Sequence, residues 1–165
     1  RQIMTPKTEQ MLNVAHAYCG LIEQAAEKTP PSRWLTDVAS LLPRINAAVT
    51  ALEDDLKPER WQDQDLDARF DLYARLHELL GELDAYWLEF DSLGDDACKS
   101  GSLADDLTDI YCELKSGLEL VGEAPETEVG STEQAVANWR TGYLRHWGRH
   151  VIDAQRHLMD LDVMR

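Results

Sequence analysis

Two histidines, His146 and His150, stand four residues apart, and three carboxylates, Asp106, Asp109 and Glu113, recur at intervals of three and four residues earlier in the chain. On helices, such spacings put each set on one strip, so two imidazoles can reach one metal ion from consecutive turns. Three carboxylates on one strip repel one another unless a cation faces them. Arg140 projects to the middle of an apolar helix face, where a guanidinium is costly unless paired, so it is the expected cation. The cluster therefore has two readings, a half-buried ion-pair network between two helices or a divalent-metal or phosphate site. In the metal reading the ligands are His77, His146, His150 and Asp106.

Asp84 adds a third strand to this convergence. It shares a heptad line with Phe70, His77 and Asp91 and falls among Leu80, Leu83 and Trp87. A carboxylate there needs a partner, and His77, Arg140 and His150 are the candidates. For His150 two states remain open: buried and neutral, with a lowered pKa, or paired with Asp106 or Asp84, with a raised one. Trp87, Trp139 and Trp147 read either as core or as a ligand-stacking pocket. Nucleophile templates are missing. Cys19 and His16 project to the outer side of the first helix, no serine stands in a strand-turn-helix elbow, and no glycine-rich phosphate loop occurs.

The elements that must hold these groups are helical. Thr8 is the expected cap of a first helix carrying Met11, Val14, Tyr18, Leu21 and Ile22 at helical spacing. Ser32 caps a second with Trp34, Val38, Leu42, Ile45 and Val49, which Pro43 is expected to break near Ala39 to Leu42. An acidic connection over 53–66 leads to a third helix running from about Asp65 to Phe90, with Phe70, Tyr73, Leu76, Leu80, Leu83 and Trp87 inward. Ser102 and Asp105 form an acidic capping box for the fourth helix, and Ser131 with Gln134 a full one for a last helix reaching Asp162. At 100° per residue that last helix turns Arg140, Tyr143, Leu144, Trp147, Val151, Ala154 and Leu158 inward. No stretch alternates with a period of two. The expected fold is all-α, an up-and-down bundle of four main helices plus a Pro-kinked segment, in one domain over 1–165 with 1–7 as a tether.

The chain has 165 residues, with 16 Lys and Arg against 31 Asp and Glu, for a formal charge of −15. That balance removes the attraction on which direct binding to nucleic acid or an anionic membrane depends. No apolar run approaches the roughly 20 residues that span a bilayer. Three cysteines without a CxxC pair suit a reducing cytoplasm better than a disulfide framework or a zinc knuckle. No leader segment is visible, although the start at Arg1 leaves room for one upstream.

Two partial likenesses bear on the metal reading. Asp106 and Asp109, with Glu113 beyond, are similar to the acidic pairs that hold magnesium in all-α nucleotide pyrophosphohydrolases, though the second pair of that family is absent. His77 with His146 and His150 is similar in ligand type to the three-histidine site of DinB-like metal bundles. A fuller resemblance is carried by SLADDLTDIYCELKSGL at 102–118, WRTGYLRHWGRHVIDAQRHL at 139–158 and LLGELDAYWLEFD at 79–91. These runs resemble a bacterial all-α family known as domain of unknown function 5063. The resemblance implies a bacterial intracellular helical protein and supplies no activity or cofactor. The expected function is an acidic interaction or regulatory module facing a basic protein; the alternative is a metal-dependent hydrolase of a phosphate-containing or similar small substrate within the bundle.

Overall fold

A computed structural model describes residues 4–25, 31–53, 63–91, 94, 96–123 and 130–163. The fold is all-α. Helix α1 spans Pro6–Glu23, α2 Pro31–Thr50, α3 Leu66–Leu80 and α4 Leu103–Glu123; α5 (Ser131–Gly142) continues through a π turn, Tyr143–Trp147, into α6 (Gly148–Asp160). Helix α4 packs against α1, α3, α5 and α6. It contributes Leu103, Ala104, Leu107, Ile110 and Leu114 to one continuous apolar core.

Several boundaries differ from the sequence expectation for identifiable reasons. The first cap is Thr5, whose Oγ1 accepts from the Thr8 amide at 3.2 Å, because Pro6 is preorganised for the first helical position. Helix 6–23 therefore begins inside the expected tether. Pro43 does not break α2. It lies on the exposed side, where water can take the carbonyl that its missing N–H leaves free. The third helix ends ten residues early, since Gly81 adopts φ 55° and a 3₁₀ turn, Gly81–Leu83, follows. That break leaves Leu83 and Trp87 exposed rather than inward, and it dissolves the heptad line through Asp84; Phe70 is exposed as well, because α3 turns Leu72, Leu76 and Leu80 to the core instead. A short antiparallel ladder pairs β1 (Ala85–Tyr86) with β2 (Gly101–Ser102). At α5 the cap is Gly130, with φ 123°, so Ser131 is already helical. Cys19 is buried, not outward. Trp61 and most of the acidic connection lie outside the described residues.

A π turn sets the phase of the last helix and departs from the uniform 100° per residue. The Gly148 amide bonds the Tyr143 carbonyl, five residues back, so the turn holds one residue more than an α turn. A Cβ on Gly148 would lie 2.5 Å from that carbonyl oxygen. The altered phase rotates Leu144 out to 73% exposure while Trp139, Trp147, Val151 and His157 are buried. Trp147 Nε1 donates to the Trp139 carbonyl across the turn at 3.2 Å.

Helices α4 and α5 meet through Gly117. A Cβ there would fall 2.3 Å from the indole of Trp139, whose Nε1 donates to the Glu113 carbonyl at 3.1 Å. Gly117→Ala should therefore destabilise the fold by about 1–3 kcal/mol, because overpacking outweighs the roughly 1 kcal/mol of helix propensity gained. Chemical denaturation measures this, and a more stable variant would show that Trp139 yields freely.

Candidate functional site

The central helix α4 turns one strip of carboxylates toward α3 and the π turn. Its N-terminus is held from a distance: Asp84 accepts from the Ala104 amide at 2.6 Å and from Ser102 Oγ at 2.9 Å, while its own carbonyl takes the Leu103 amide. Ser102 Oγ in turn accepts from the Asp105 amide, as the capping pattern predicts. His77 Nδ1 lies 2.9 Å from Asp84 Oδ2. Asp84 and His77 thus form a helix cap, apart from the groups that follow.

Asp106 and Asp109, both buried, grip His150 from its two sides. His150 Nδ1 is 2.7 Å from Asp106 Oδ1, and Nε2 is 2.9 Å from Asp109 Oδ2. Burial alone would lower the His150 pKa, but the hydrogen bonds to Asp106 and Asp109 prevail and raise it to about 10. The ring is an imidazolium donating from both nitrogens. Burial lifts Asp106 to about 6 despite hydrogen bonds from His150 and from the Tyr86 hydroxyl. Asp109 is pushed the other way; burial raises it, yet bonds from His150 and Arg69 outweigh that and leave it below the usual carboxylate range. Glu113, half-buried, is raised by burial against the pull of His146, whose Nδ1 lies 3.8 Å from Glu113 Oε1.

The cation opposite the strip is Arg69, not Arg140. Arg69 Nε donates to Asp109 Oδ1 at 2.9 Å, and Nη2 donates to the same oxygen and to Asp105 Oδ1, the latter at 3.0 Å. Arg140 instead donates to the Leu52 carbonyl and ties α5 to the end of α2. The π turn changes which side of the last helix faces α4, and α3 fills the place first assigned to Arg140. Arg69 had a sequence signal, for it stands in line with Leu72, Leu76 and Leu80 on the buried stripe of α3. Tyr86 and Asp105 had none as site residues.

Ligand atoms of Asp109, His146 and His150 lie within 4.8 Å of one another, as do those of Asp105, Asp106 and His150. His77 belongs to neither group, because the Gly81 break sends it to Asp84. Trp139 and Trp147 are core, whereas Trp87 lines a separate open groove with Tyr86, Lys99, Arg156 and His157. No thiol is poised as a nucleophile among these groups: burial pushes Cys19 up to about 12 and Cys112 to about 11.

A family model described as domain of unknown function (DUF5063) matches residues 2–163. The chain belongs to the DUF5063 family. The crystal structure of protein BF1032 from Bacteroides fragilis is similar to this DUF5063 chain, with a TM-score of 0.75 at 20% sequence identity over 94% of this chain and 92% of that one. At that identity the likeness concerns the fold. A search of curated proteins finds no match.

Two outcomes follow from the cluster. Arg69→Met leaves Asp109 and Asp105 short of a cation and should cost about 2–3 kcal/mol, less than a fully buried pair because the guanidinium is 24% exposed. Urea denaturation tests this, and a loss within about 0.5 kcal/mol would class the contact as ordinary surface. His150, with its folded pKa above the unfolded value, contributes stability that is complete below about pH 6.5 and lost as pH rises toward 10. Nitrogen-15 NMR of chelator-treated protein at pH 8 should find both ring nitrogens protonated; an apparent pKa near 6.5 would mean that the two carboxylates do not grip the ring.

Proposed function

We propose that the chain is an acidic interaction module that binds a basic protein segment on the outer face of α3. The observation that carries this reading is an exposed apolar pair set among carboxylates. Leu66 and Phe70, one turn apart, are 69% and 64% exposed. Asp63, Asp67, Asp71 and Glu78 are exposed around them. Single exposed apolar residues are ordinary, but two on consecutive turns bounded by one sign of charge suit an amphipathic helix with basic flanks. The overall charge of −15 favours fast encounter with such a partner and disfavours nucleic acid.

A bacterial cytoplasm is the setting we infer. The similar Bacteroides fragilis chain supports the bacterial part, and the free cysteines Cys19, Cys98 and Cys112 suit a reducing compartment. No helix among the described residues is long and apolar enough to cross a membrane.

A synthetic amphipathic helix of leucine and lysine serves as the probe. Phe70→Ser should weaken its binding about fivefold or more, whereas Leu144→Ser, on the exposed side of the π turn, should leave it unchanged. Raising salt from 50 to 200 mM should weaken both wild-type and Leu144→Ser binding. Equal affinities for Phe70→Ser and wild type, by calorimetry, would remove α3 as the docking face.

A further inference from the structure

We propose that Asp109, His146 and His150 form a site for one divalent transition-metal ion of the zinc type, with the fourth position left to water. The inference stands apart from the α3 face and rests on how each ligand is held. Asp109 uses Oδ1 for Arg69 and turns Oδ2 toward His150. His150 uses Nδ1 for Asp106, which is itself held by the Tyr86 hydroxyl, and turns Nε2 toward Asp109. Each of the two residues thus has one polar atom anchored elsewhere, while Asp109 Oδ2 and His150 Nε2 meet each other at 2.9 Å beside the ligand nitrogen of His146, the carboxylate–histidine arrangement that orients ligands around a metal.

His146 completes the set. Its ring meets that of His150 edge to face across one turn with centroids 5.1 Å apart, and its ligand nitrogen lies within 4.8 Å of the ligand atoms of Asp109 and His150. On a tetrahedral zinc with bonds of about 2.0–2.1 Å, ligand atoms stand about 3.3–3.5 Å apart, so the exposed His146 must turn inward while Asp109 Oδ2 and His150 Nε2, at 2.9 Å, part slightly. Glu113 Oε1, 3.8 Å from His146 Nδ1, stands beside the set as a carboxylate that can orient His146. Two imidazole nitrogens with one carboxylate select zinc, cobalt or nickel over magnesium and calcium, which take oxygen ligands.

Charge points the same way. The carboxylates of Asp105, Asp106, Asp109 and Glu113 gather on one strip, and Arg69 is the fixed cation that faces it, so a divalent ion enters a region of excess negative charge. As the metal bonds to Nε2 of His150, the proton on that nitrogen leaves to solvent, so uptake releases one proton. His146, 53% exposed, stands at the rim and provides the entry.

Tag-free protein, stripped with a chelator and dialysed, is titrated with zinc chloride by calorimetry in two buffers of different ionisation enthalpy. One equivalent should bind with proton release, and the ring signals of His146 and His150 should shift while that of His16 stays. His146→Ala, at an exposed position, should keep the circular dichroism of the parent and weaken zinc binding about tenfold or more. His16→Ala should bind as the parent does. Binding unaffected by His146→Ala, or no saturable binding below about 100 µM, overturns the proposal, and neither result bears on the α3 face.

Discussion

The carboxylates of α4 sit on a helix covered by α1, α3, α5 and α6, and a buried carboxylate costs several kcal/mol unless a cation or firm donors reach it. Neighbouring elements supply them. α3 brings Arg69, the start of α6 brings His150, and β1 brings the Tyr86 hydroxyl. The α4 N-terminus meets the opposite need, for its amides lack acceptors within the helix, and Asp84 provides them from the segment just after α3. A helix of opposite requirements at its end and along its strip thereby fixes where α3, the ladder and the last helix must stand.

What the sequence makes legible follows from how local each signal is. The stripes of α1, α2 and α4, the Ser102 cap and the carboxylate strip depend on helical spacing alone, and all appear in the structure. The assignment of Arg140 to the cluster depended on phase carried through eight residues of the last helix, and one π turn alters that phase. A similar fault ended the third helix. Gly81 reads as a tolerable glycine in a helical pattern, and only its positive φ turns the chain out toward Asp84. Arg69 stayed hidden because an arginine beside leucines on a surface helix ordinarily snorkels to water. Its identity as the strip's cation is set by where α3 packs, which no spacing encodes.

The π turn also does what a straight helix could not. In an α-helix, His146 and His150 would follow the same strip as Trp139 and Gly142 without adjustment of phase. Here the wide turn sets Trp139 and Trp147 together in the core and still leaves His150 between Asp106 and Asp109. Gly148 permits it, since any Cβ would meet the Tyr143 carbonyl. The irregularity thus stands where an aromatic core and a charged strip are served by the same helix.

Helix α3 carries both Arg69 and the exposed Leu66 and Phe70, and these stand on adjoining faces, since Leu66 is three residues before Arg69 and Phe70 one after it. Its inner side holds Arg69 against Asp109; its outer side exposes Leu66, Phe70 and their acidic neighbours. A charge docked beside Leu66 and Phe70 therefore lies within about one Debye length of Arg69 at 0.1 M salt. It can act on the cluster through space, and also through a shift of α3 that moves the guanidinium against Asp105 and Asp109. Because the guanidinium bonds Asp109 through two nitrogens and Asp105 through one, these contacts resist such a shift, and the inner ion pairs act first as the anchor that keeps the outer face in place.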